Sequence, residues 1–199
     1  MLSNASPLQE VEDFLSPEVT LSSERLYEGR IVNLRLDTVR LDDGTVTKRE
    51  IVEHGEAVAI VPIDGQGQVL LVRQYRKPIE QELLEIPAGG VDPGEDATAC
   101  AGRELQEETG YRAGKLQRLG GFFSSPGFTS EYLHVYLATD LVPSRLTADD
   151  DEAIELVRLP VPQALAMIAS GEICDAKTII GLLLLRPDRS SRPVRFDED

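Results

Sequence analysis

The sequence predicts an α+β domain in which helices pack on the faces of a sheet, instead of an alternating βαβ array. Two observations support this fold class. Short runs of alternating apolar and polar residues dominate the first half, whereas helical patterns are confined to one mid-chain segment and to 161–170 and 175–186. A chain of 199 residues is long enough for a single domain with one sizeable core.

The first half of the chain reads in order as an arm, a ribbon and core strands. Residues 1–16 are polar and are expected to form a loose arm. Residues 17–54 alternate in short runs around an Asp43-Gly44 turn, which predicts an antiparallel ribbon. The runs AVAIVPID and QVLLVRQYR, joined by a GQG turn, are predicted core strands, and LLEIP is a short strand that Pro87 ends.

The second half combines helices with longer strands. A glycine-rich stretch leads into a predicted helix over 95–109, which Gly110 terminates. KLQRLGGFF and EYLHVYLAT are predicted strands on either side of a loop, and an acidic loop precedes the strand LVRLP. The predicted domain spans 55–187, and a tail of mixed charge follows at 188–199.

Composition excludes several classes of protein. The net charge of −15, from 35 acidic and 20 basic residues, opposes broad contact with a nucleic-acid backbone. No apolar run approaches the ~18–20 residues of a membrane span, and the first residues lack a secretory signal pattern, so we expect a cytoplasmic protein without membrane or nucleic-acid partners. Cys100 and Cys174 form no CxxC pattern, which argues against a disulfide framework, and we expect both to be buried.

The end of the mid-chain helix carries an unusual concentration of negative charge. At about 100° per residue, Glu104, Glu107 and Glu108 fall on one helical face, where they repel one another and oppose the helix dipole. A solvated surface helix is the alternative, supported by a possible pair between Arg103 and Glu107. Divalent cations bound by carboxylate oxygens explain the cluster better, and Mg²⁺ is favoured over Mn²⁺ or other divalent metals.

The same segment carries a family resemblance. It resembles the Nudix hydrolase signature, Gly-x5-Glu-x7-Arg-Glu-U-x-Glu-Glu-x-Gly-U, where U is a bulky aliphatic residue. The matching residues are Gly89, Glu95, Arg103, Glu104, Leu105, Glu107, Glu108 and Gly110. Tyr111 departs from the aliphatic final position, which concerns packing. The resemblance implies a mixed α/β/α sandwich that hydrolyses a nucleoside diphosphate linked to another moiety.

The resemblance also implies roles for individual residues. Glu104 and Glu108 would be metal ligands, Glu107 would share or orient that site, and the Ala88 carbonyl would be a further ligand. Arg103 belongs with Glu107 and Glu108 among the expected catalytic residues, although it would hold the loop and the helix together and not touch substrate. Whether Glu95 is structural or takes a direct part is left open.

A second stretch, FFSSPGFTSEYLHVY, bears on the substrate. Pro126 lies sixteen residues after Gly110 and, with VRQYR, EIPAG and GEICDAKTIIGLLLL, resembles the ADP-ribose pyrophosphatase subfamily. That likeness implies metal-dependent hydrolysis of ADP-ribose to AMP and ribose 5-phosphate. The alternative for Pro126 is an ordinary Ser-Pro-Gly turn. Glu131, just after it, could reach the metal or the substrate.

Two arginines and an acidic loop complete the expected site. Arg73 and Arg76 are candidates for binding the substrate phosphates, with surface strand positions as the alternative. The subfamily implies a general base on a late loop, for which Glu152 is our choice. Asp150, Asp151 or Glu155 could serve instead, and an ordinary solvated acidic loop is also possible.

The sequence is compatible with three functions. The first is ADP-ribose hydrolysis by a homodimer, which the subfamily implies and for which the ribbon at 17–54 is available. The second is hydrolysis of other nucleoside diphosphate sugars or derivatives, including, less favourably, RNA decapping. The third is a noncatalytic ADP-ribose-binding module.

Overall fold

The computed structural model describes residues 18–144 and 154–185. Within these residues the chain divides into two units. The first contains 18–54 and Ser125–Ser130, and the second contains Gly55–Ser124 with 131–144 and 154–185. The extents of the arm, ribbon, domain and tail assigned from the sequence stay predictions.

The first unit is built on a three-stranded antiparallel sheet. Its strands are β1 (Val19–Glu28), β2 (Asn33–Arg40) and β3 (Val46–Glu53), in the order β1-β2-β3. Gly44 turns the chain between β2 and β3 with φ of 82°, and the Asp43 carboxylate accepts a hydrogen bond from Thr45 N at 2.8 Å. The antiparallel ribbon predicted from the sequence is confirmed.

The second unit contains the remaining strands in two sheets. One sheet has the order β10-β5-β6 and the other β7-β4-β9-β8. Only the β4–β9 pair is parallel among the described strand pairs, so the second sheet is mixed. The strands are β4 (Ala57–Pro62), β5 (Gln68–Arg76), β6 (Gln81–Glu85), β7 (Ala88–Gly90), β8 (Tyr111–Phe123), β9 (Tyr132–Pro143) and β10 (Glu155–Pro160).

Three helices cover the two faces of β4. They are α1 (Ala97–Thr109), α2 (Val161–Ser170) and α3 (Ala176–Leu184). Every residue of β4 is buried, as the continuous apolar run AVAIVP requires. Because side chains alternate along a strand, Ile60 packs with Leu105 of α1, while Val61 joins Leu182 of α3 on the other face. This layering confirms the α+β class and the α/β/α sandwich.

The ends of α1 follow from its capping residues. Asp96 accepts hydrogen bonds from Thr98 N and Ala99 N, and Gly110 adopts φ of 75° and donates to Gln106 O at 3.0 Å. The helix therefore begins two residues later than the predicted 95–109, since Asp96 serves as its cap.

Two expectations need correction. The glycine-rich stretch before α1 contains the short strand β7. The sequence analysis did not predict it, because a strand of Ala and Gly has no alternation of apolar and polar residues. Cys100 is buried as expected, but Cys174 is exposed. None of the helices in the described residues has the length and apolar character required to cross a bilayer.

Candidate active site

An acidic cavity of about 530 Å³ lies between β7, the segment that follows it, and α1. Its lining is polar because α1 contributes carboxylates and β7 contributes backbone. The lining residues are Ala88, Gly89, Gly90, Val91, Asp92, Arg103, Glu104, Glu107 and Glu108. The structure therefore gathers Ala88 and the three glutamates predicted as metal ligands around one space.

The α1 glutamates are tied to their surroundings in different ways. Arg103 Nη1 donates to Glu104 Oε1 at 2.7 Å and to Glu107 Oε2 at 3.0 Å. Glu108 Oε2 accepts from the Ala88 backbone N at 3.2 Å, which connects the helix to β7. One guanidinium thus offsets part of the repulsion that the sequence indicated among these carboxylates.

Arg103 also fixes the segment before α1. Its Nε and Nη2 donate to the two carboxylate oxygens of Glu95, each at 3.0 Å, and Nη2 reaches Gly90 O at 3.3 Å. Hydrogen bonding from Arg103 lowers the pKa of Glu95 to about 2. These contacts agree with a role for Arg103 in holding the loop against the helix. Its assignment as a catalytic residue stays a prediction.

Gly89 permits a very close approach of Glu104 to the backbone. A Cβ atom at Gly89 would lie 2.0 Å from Glu104 Cδ and 2.1 Å from Oε1, so the Glu104 carboxylate would have to move if position 89 carried a side chain. The carboxylate therefore fills the space that any other residue at position 89 would need. The position of the Glu104 carboxylate therefore depends on glycine at 89 through this contact, and not through an unusual φ.

The donor chemistry of the cavity suits a hard divalent cation. Carboxylates and backbone carbonyls are the oxygen ligands that Mg²⁺ takes in proteins. Within 18–144 and 154–185, no three His, Cys, Asp or Glu side chains already converge in metal-ligating geometry. The carboxylates of Glu104 and Glu107 instead both accept hydrogen bonds from Arg103 Nη1.

The two candidate arginines on β5 lie on opposite faces of the strand. Arg76 Nε and Nη2 donate to Glu85 at 2.8 and 2.7 Å. Hydrogen bonding to Glu85 raises the pKa of Arg76, burial opposes the rise, and the negative charge of Glu108 adds to it. Arg73 instead pairs with Glu155 at 3.3 Å and lines a separate cavity of about 410 Å³. The structure brings Arg76 into electrostatic reach of Glu108, one of the α1 carboxylates.

Comparison with known proteins assigns the family. Residues 53–179 match the model of the NUDIX domain. The chain belongs to the Nudix family. Residues 18–52 match a second model, the nucleoside diphosphate sugar hydrolase N-terminal domain.

Curated relatives and a solved structure resemble this Nudix chain over most of its length. The ADP-ribose pyrophosphatase of Bacillus subtilis (strain 168) is 39% identical over 171 residues, which cover 85% of this chain and 92% of the relative. The methanol dehydrogenase activator of Bacillus methanolicus is 41% identical over 174 residues, or 86% of this chain and 94% of the relative. A crystal structure of an ADP compounds hydrolase superposes with a TM-score of 0.79 at 28% identity, covering 86% of this chain and 93% of that chain.

Pro126 and Glu131 of this Nudix chain lie outside the cavity lining. Pro126 is in the first unit, where Phe128 N and Thr129 N donate to Ser125 O, so the Ser-Pro-Gly sequence does form a turn. Glu131 precedes β9 and is half-buried. Their assignment to substrate or metal binding stays a prediction.

Glu152, the residue chosen from the sequence as general base, lies outside the described residues. Glu152, with its alternatives Asp150 and Asp151, lies in the gap between 144 and 154. Glu155, the fourth candidate, is the first residue of β10 and is 71% exposed in its pair with Arg73.

The sequence analysis missed a group of charged residues beside the site. Glu85, at the end of β6, is 1% exposed and accepts hydrogen bonds from both Arg76 and Lys177. A glutamate inside the apolar run LLEIP was the available signal, because a buried carboxylate requires a partner. The partner on α3, 92 positions away, could not be identified from the sequence.

We predict that Glu95→Gln destabilises the protein at about pH 7 and that its effect disappears in acid. The folded-state pKa of Glu95 lies below its ordinary value of 4.5, so the paired carboxylate stabilises the fold above about 4.5. That contribution is lost as pH falls from about 4.5 towards 2. Thermal unfolding measured from about pH 7 to about pH 2 checks this. The Tm of Glu95→Gln should lie roughly 2–4 °C below that of the wild type at neutral pH, and the difference should vanish near pH 2.

Glu82→Gln, an exposed change on β6, is the control and should leave Tm unaltered throughout. A Tm deficit of Glu95→Gln that persists undiminished at about pH 2 would contradict the assignment of its stability to the Arg103 pair.

Proposed function

We propose that this Nudix protein hydrolyses the diphosphate of ADP-ribose to AMP and ribose 5-phosphate, using Mg²⁺. The observation that carries the proposal is the acidic cavity on the Nudix helix, in a chain similar over 85% of its length to an ADP-ribose pyrophosphatase. The structural likeness to an ADP compounds hydrolase supports an ADP-containing substrate. The alternative of a noncatalytic module is disfavoured because all three α1 glutamates are present.

The acidic cavity supplies ligands for the metal. Glu104, Glu107 and Glu108, with the Ala88 carbonyl, would hold it. A bound divalent cation would neutralise phosphate charge and lower the pKa of a water molecule. Within this proposal Arg103 and Glu95 hold the β7 segment against α1, so that the carboxylates stay gathered around one space.

The arginines and the acidic loop act on substrate and water. Arg76 would donate to phosphate oxygens and orient the diphosphate beside α1. We retain Arg73, Pro126 and Glu131 as sequence-based candidates for substrate binding. Glu152 would accept the proton of the attacking water. A pH–rate profile of Glu152→Gln tests this, and an unaltered acidic limb would exclude Glu152 as the base.

A broader substrate range is the second candidate function. The match of 18–52 to the N-terminal domain of nucleoside diphosphate sugar hydrolases favours it. In that case the same metal site on α1 would serve to cleave other nucleoside diphosphate sugars. The pocket that binds the sugar would then differ from one specific for the terminal ribose of ADP-ribose.

We also propose that the protein is a cytoplasmic homodimer whose subunits associate through the ribbon. Several large apolar side chains on the ribbon are exposed, as expected of an interaction surface. They are Val19, Leu21, Leu26, Tyr27, Ile31 and Val46. Sedimentation of Leu21→Glu against the wild type tests the dimer, and equal masses would exclude this surface. Cell fractionation tests the location.

The experiment that tests the function is AMP release with Mg²⁺ from ADP-ribose, ADP-glucose and a dinucleotide in parallel. Preferred turnover of ADP-ribose is the expected result. Preference for another diphosphate would support the second candidate. Binding of ADP-ribose without cleavage in Mg²⁺ or Mn²⁺ would refute the enzyme and favour the binding module.

A further inference from the structure

Glu85 is a carboxylate almost completely removed from water. Its side chain is 1% exposed at the end of β6, and β6 pairs with β5. Burial raises the pKa of Glu85, but hydrogen bonds from Arg76 and the positive charge of Lys177 outweigh burial, and the pKa is lowered overall. Glu85 is therefore a buried anion stabilised by two cations.

The two cations are held differently. Arg76 makes a fork, with Nε on Oε1 at 2.8 Å and Nη2 on Oε2 at 2.7 Å. Lys177 Nζ donates to Glu85 Oε2 and also to Asp175 Oδ1 at 3.0 Å. The Arg76 side chain is 39% exposed and the Lys177 side chain only 14%. Lys177 is the inner partner, and Arg76 is the one that faces outward.

The lysine is anchored at the start of α3. Asp175 caps α3 by accepting from Thr178 N at 2.9 Å, and Thr178 Oγ1 in turn accepts from Ile86 N at 2.8 Å. A cation in the first turn of a helix opposes the helix dipole, so Lys177 does not serve helix stability. Its contacts with Asp175 and Glu85 provide the reason for its position.

Arg76 lies within electrostatic reach of Glu108, which lines the acidic cavity. Ala88 follows Glu85 by only three positions in the sequence, so their Cα atoms are at most about 10 Å apart. Ala88 N contacts Glu108, whose charge acts on Arg76. Glu85 occupies Nε and Nη2, and among the described residues none hydrogen-bonds the remaining Nη1 of Arg76.

We propose that Glu85 is a positioning residue, which fixes the Arg76 guanidinium so that Nη1 meets the diphosphate held beside α1. Lys177 keeps the Glu85 carboxylate compensated while Arg76 binds phosphate. The inference rests on the proposed function, since it presupposes a diphosphate at the acidic cavity. Glu85 itself does not touch the substrate.

The test is steady-state hydrolysis of ADP-ribose by Glu85→Gln, which keeps the shape of the side chain and removes its charge. KM should rise about 10- to 100-fold, the worth of a charge-assisted hydrogen bond, while kcat changes less than about threefold. Glu82→Gln, the same change at an exposed position of β6, should match the wild type.

A double-mutant cycle separates positioning from a general structural role. In an Arg76→Ala background, Glu85→Gln should add no further rise in KM, because the residue it acts through is absent. An equal rise in both backgrounds, or an unchanged KM in correctly folded Glu85→Gln, overturns the proposal.

Glu85→Asp covers the case in which Glu85→Gln fails to fold. This variant retains the negative charge and is expected to fold. Its side chain is shorter by one methylene, so the carboxylate moves away from Arg76 and KM should still rise. Normal KM in Glu85→Asp overturns the proposal.

Failure of the proposed function is a separate result, seen when the wild type does not cleave ADP-ribose. The readout is then the Kd of ADP-ribose by calorimetry. An unchanged Kd in the variant overturns the role of Glu85, and a Kd raised only when Arg76 is present supports it.

Discussion

Replacing Glu108 by Gln is expected to lower the rate of ADP-ribose hydrolysis by roughly 10³-fold. The change keeps the side-chain volume and the capacity to accept from Ala88 N, at present a 3.2 Å contact, but removes one anionic oxygen ligand. Metal polarisation of a phosphoryl group contributes several kcal/mol, and each 1.4 kcal/mol is about tenfold in rate. AMP release at saturating Mg²⁺ measures the loss.

Calorimetry of Mg²⁺ binding identifies the cause of that loss. Glu108→Gln should bind Mg²⁺ more weakly than the wild type, while Glu82→Gln should retain both affinity and activity. If Glu108→Gln binds Mg²⁺ as tightly as the wild type and hydrolyses substrate normally, Glu108 is not a metal ligand.

The second large effect is expected from Gly89→Ala. The added methyl group would lie 2.0 Å from Glu104 Cδ, so the carboxylate must leave its present position against β7. Misplacing a catalytic group by about 1 Å can cost 10²-fold in rate, and we expect a loss of that order. Stability should change by less than about 1 kcal/mol, because the displaced atoms are the mobile end of a side chain.

Gly90→Ala is a matched control on the same strand. A Cβ at Gly90 meets no atom within 4 Å, so this variant should keep most of its activity. Rates and Tm values of the two variants, measured side by side, test the prediction. Equal activities would show that the position of Glu104 against Gly89 does not matter.

Much of the fold was predictable because it follows local rules. The burial of AVAIVP, the Asp43-Gly44 turn and the Gly110 helix end each depend on neighbours in sequence. The sheet order was not predictable in this way. β4 and β5 are joined by a short turn, yet they belong to different sheets, since β4 pairs with β9 and β5 with β10.

The candidate site was predictable where a single helix supplies it. Glu104, Glu107 and Glu108 share a face of α1 by helical period alone, and the structure places them at one cavity. Contacts between residues that are distant in sequence could not be predicted from the sequence. The approach of Glu104 to Gly89 depends on backbone distance, and the pairing of Glu85 with Lys177 depends on how α3 packs.

The parallel pairing of β4 with β9 has a consequence for how the chain folds. It joins strands that are separated in sequence by four other strands and α1, and the Ile86–Thr178 hydrogen bond closes a loop of 92 positions. Folding dominated by such distant contacts takes roughly milliseconds to seconds. Until β9 pairs with it, one edge of the apolar β4 segment stays unpaired, so refolding yield should fall as protein concentration rises.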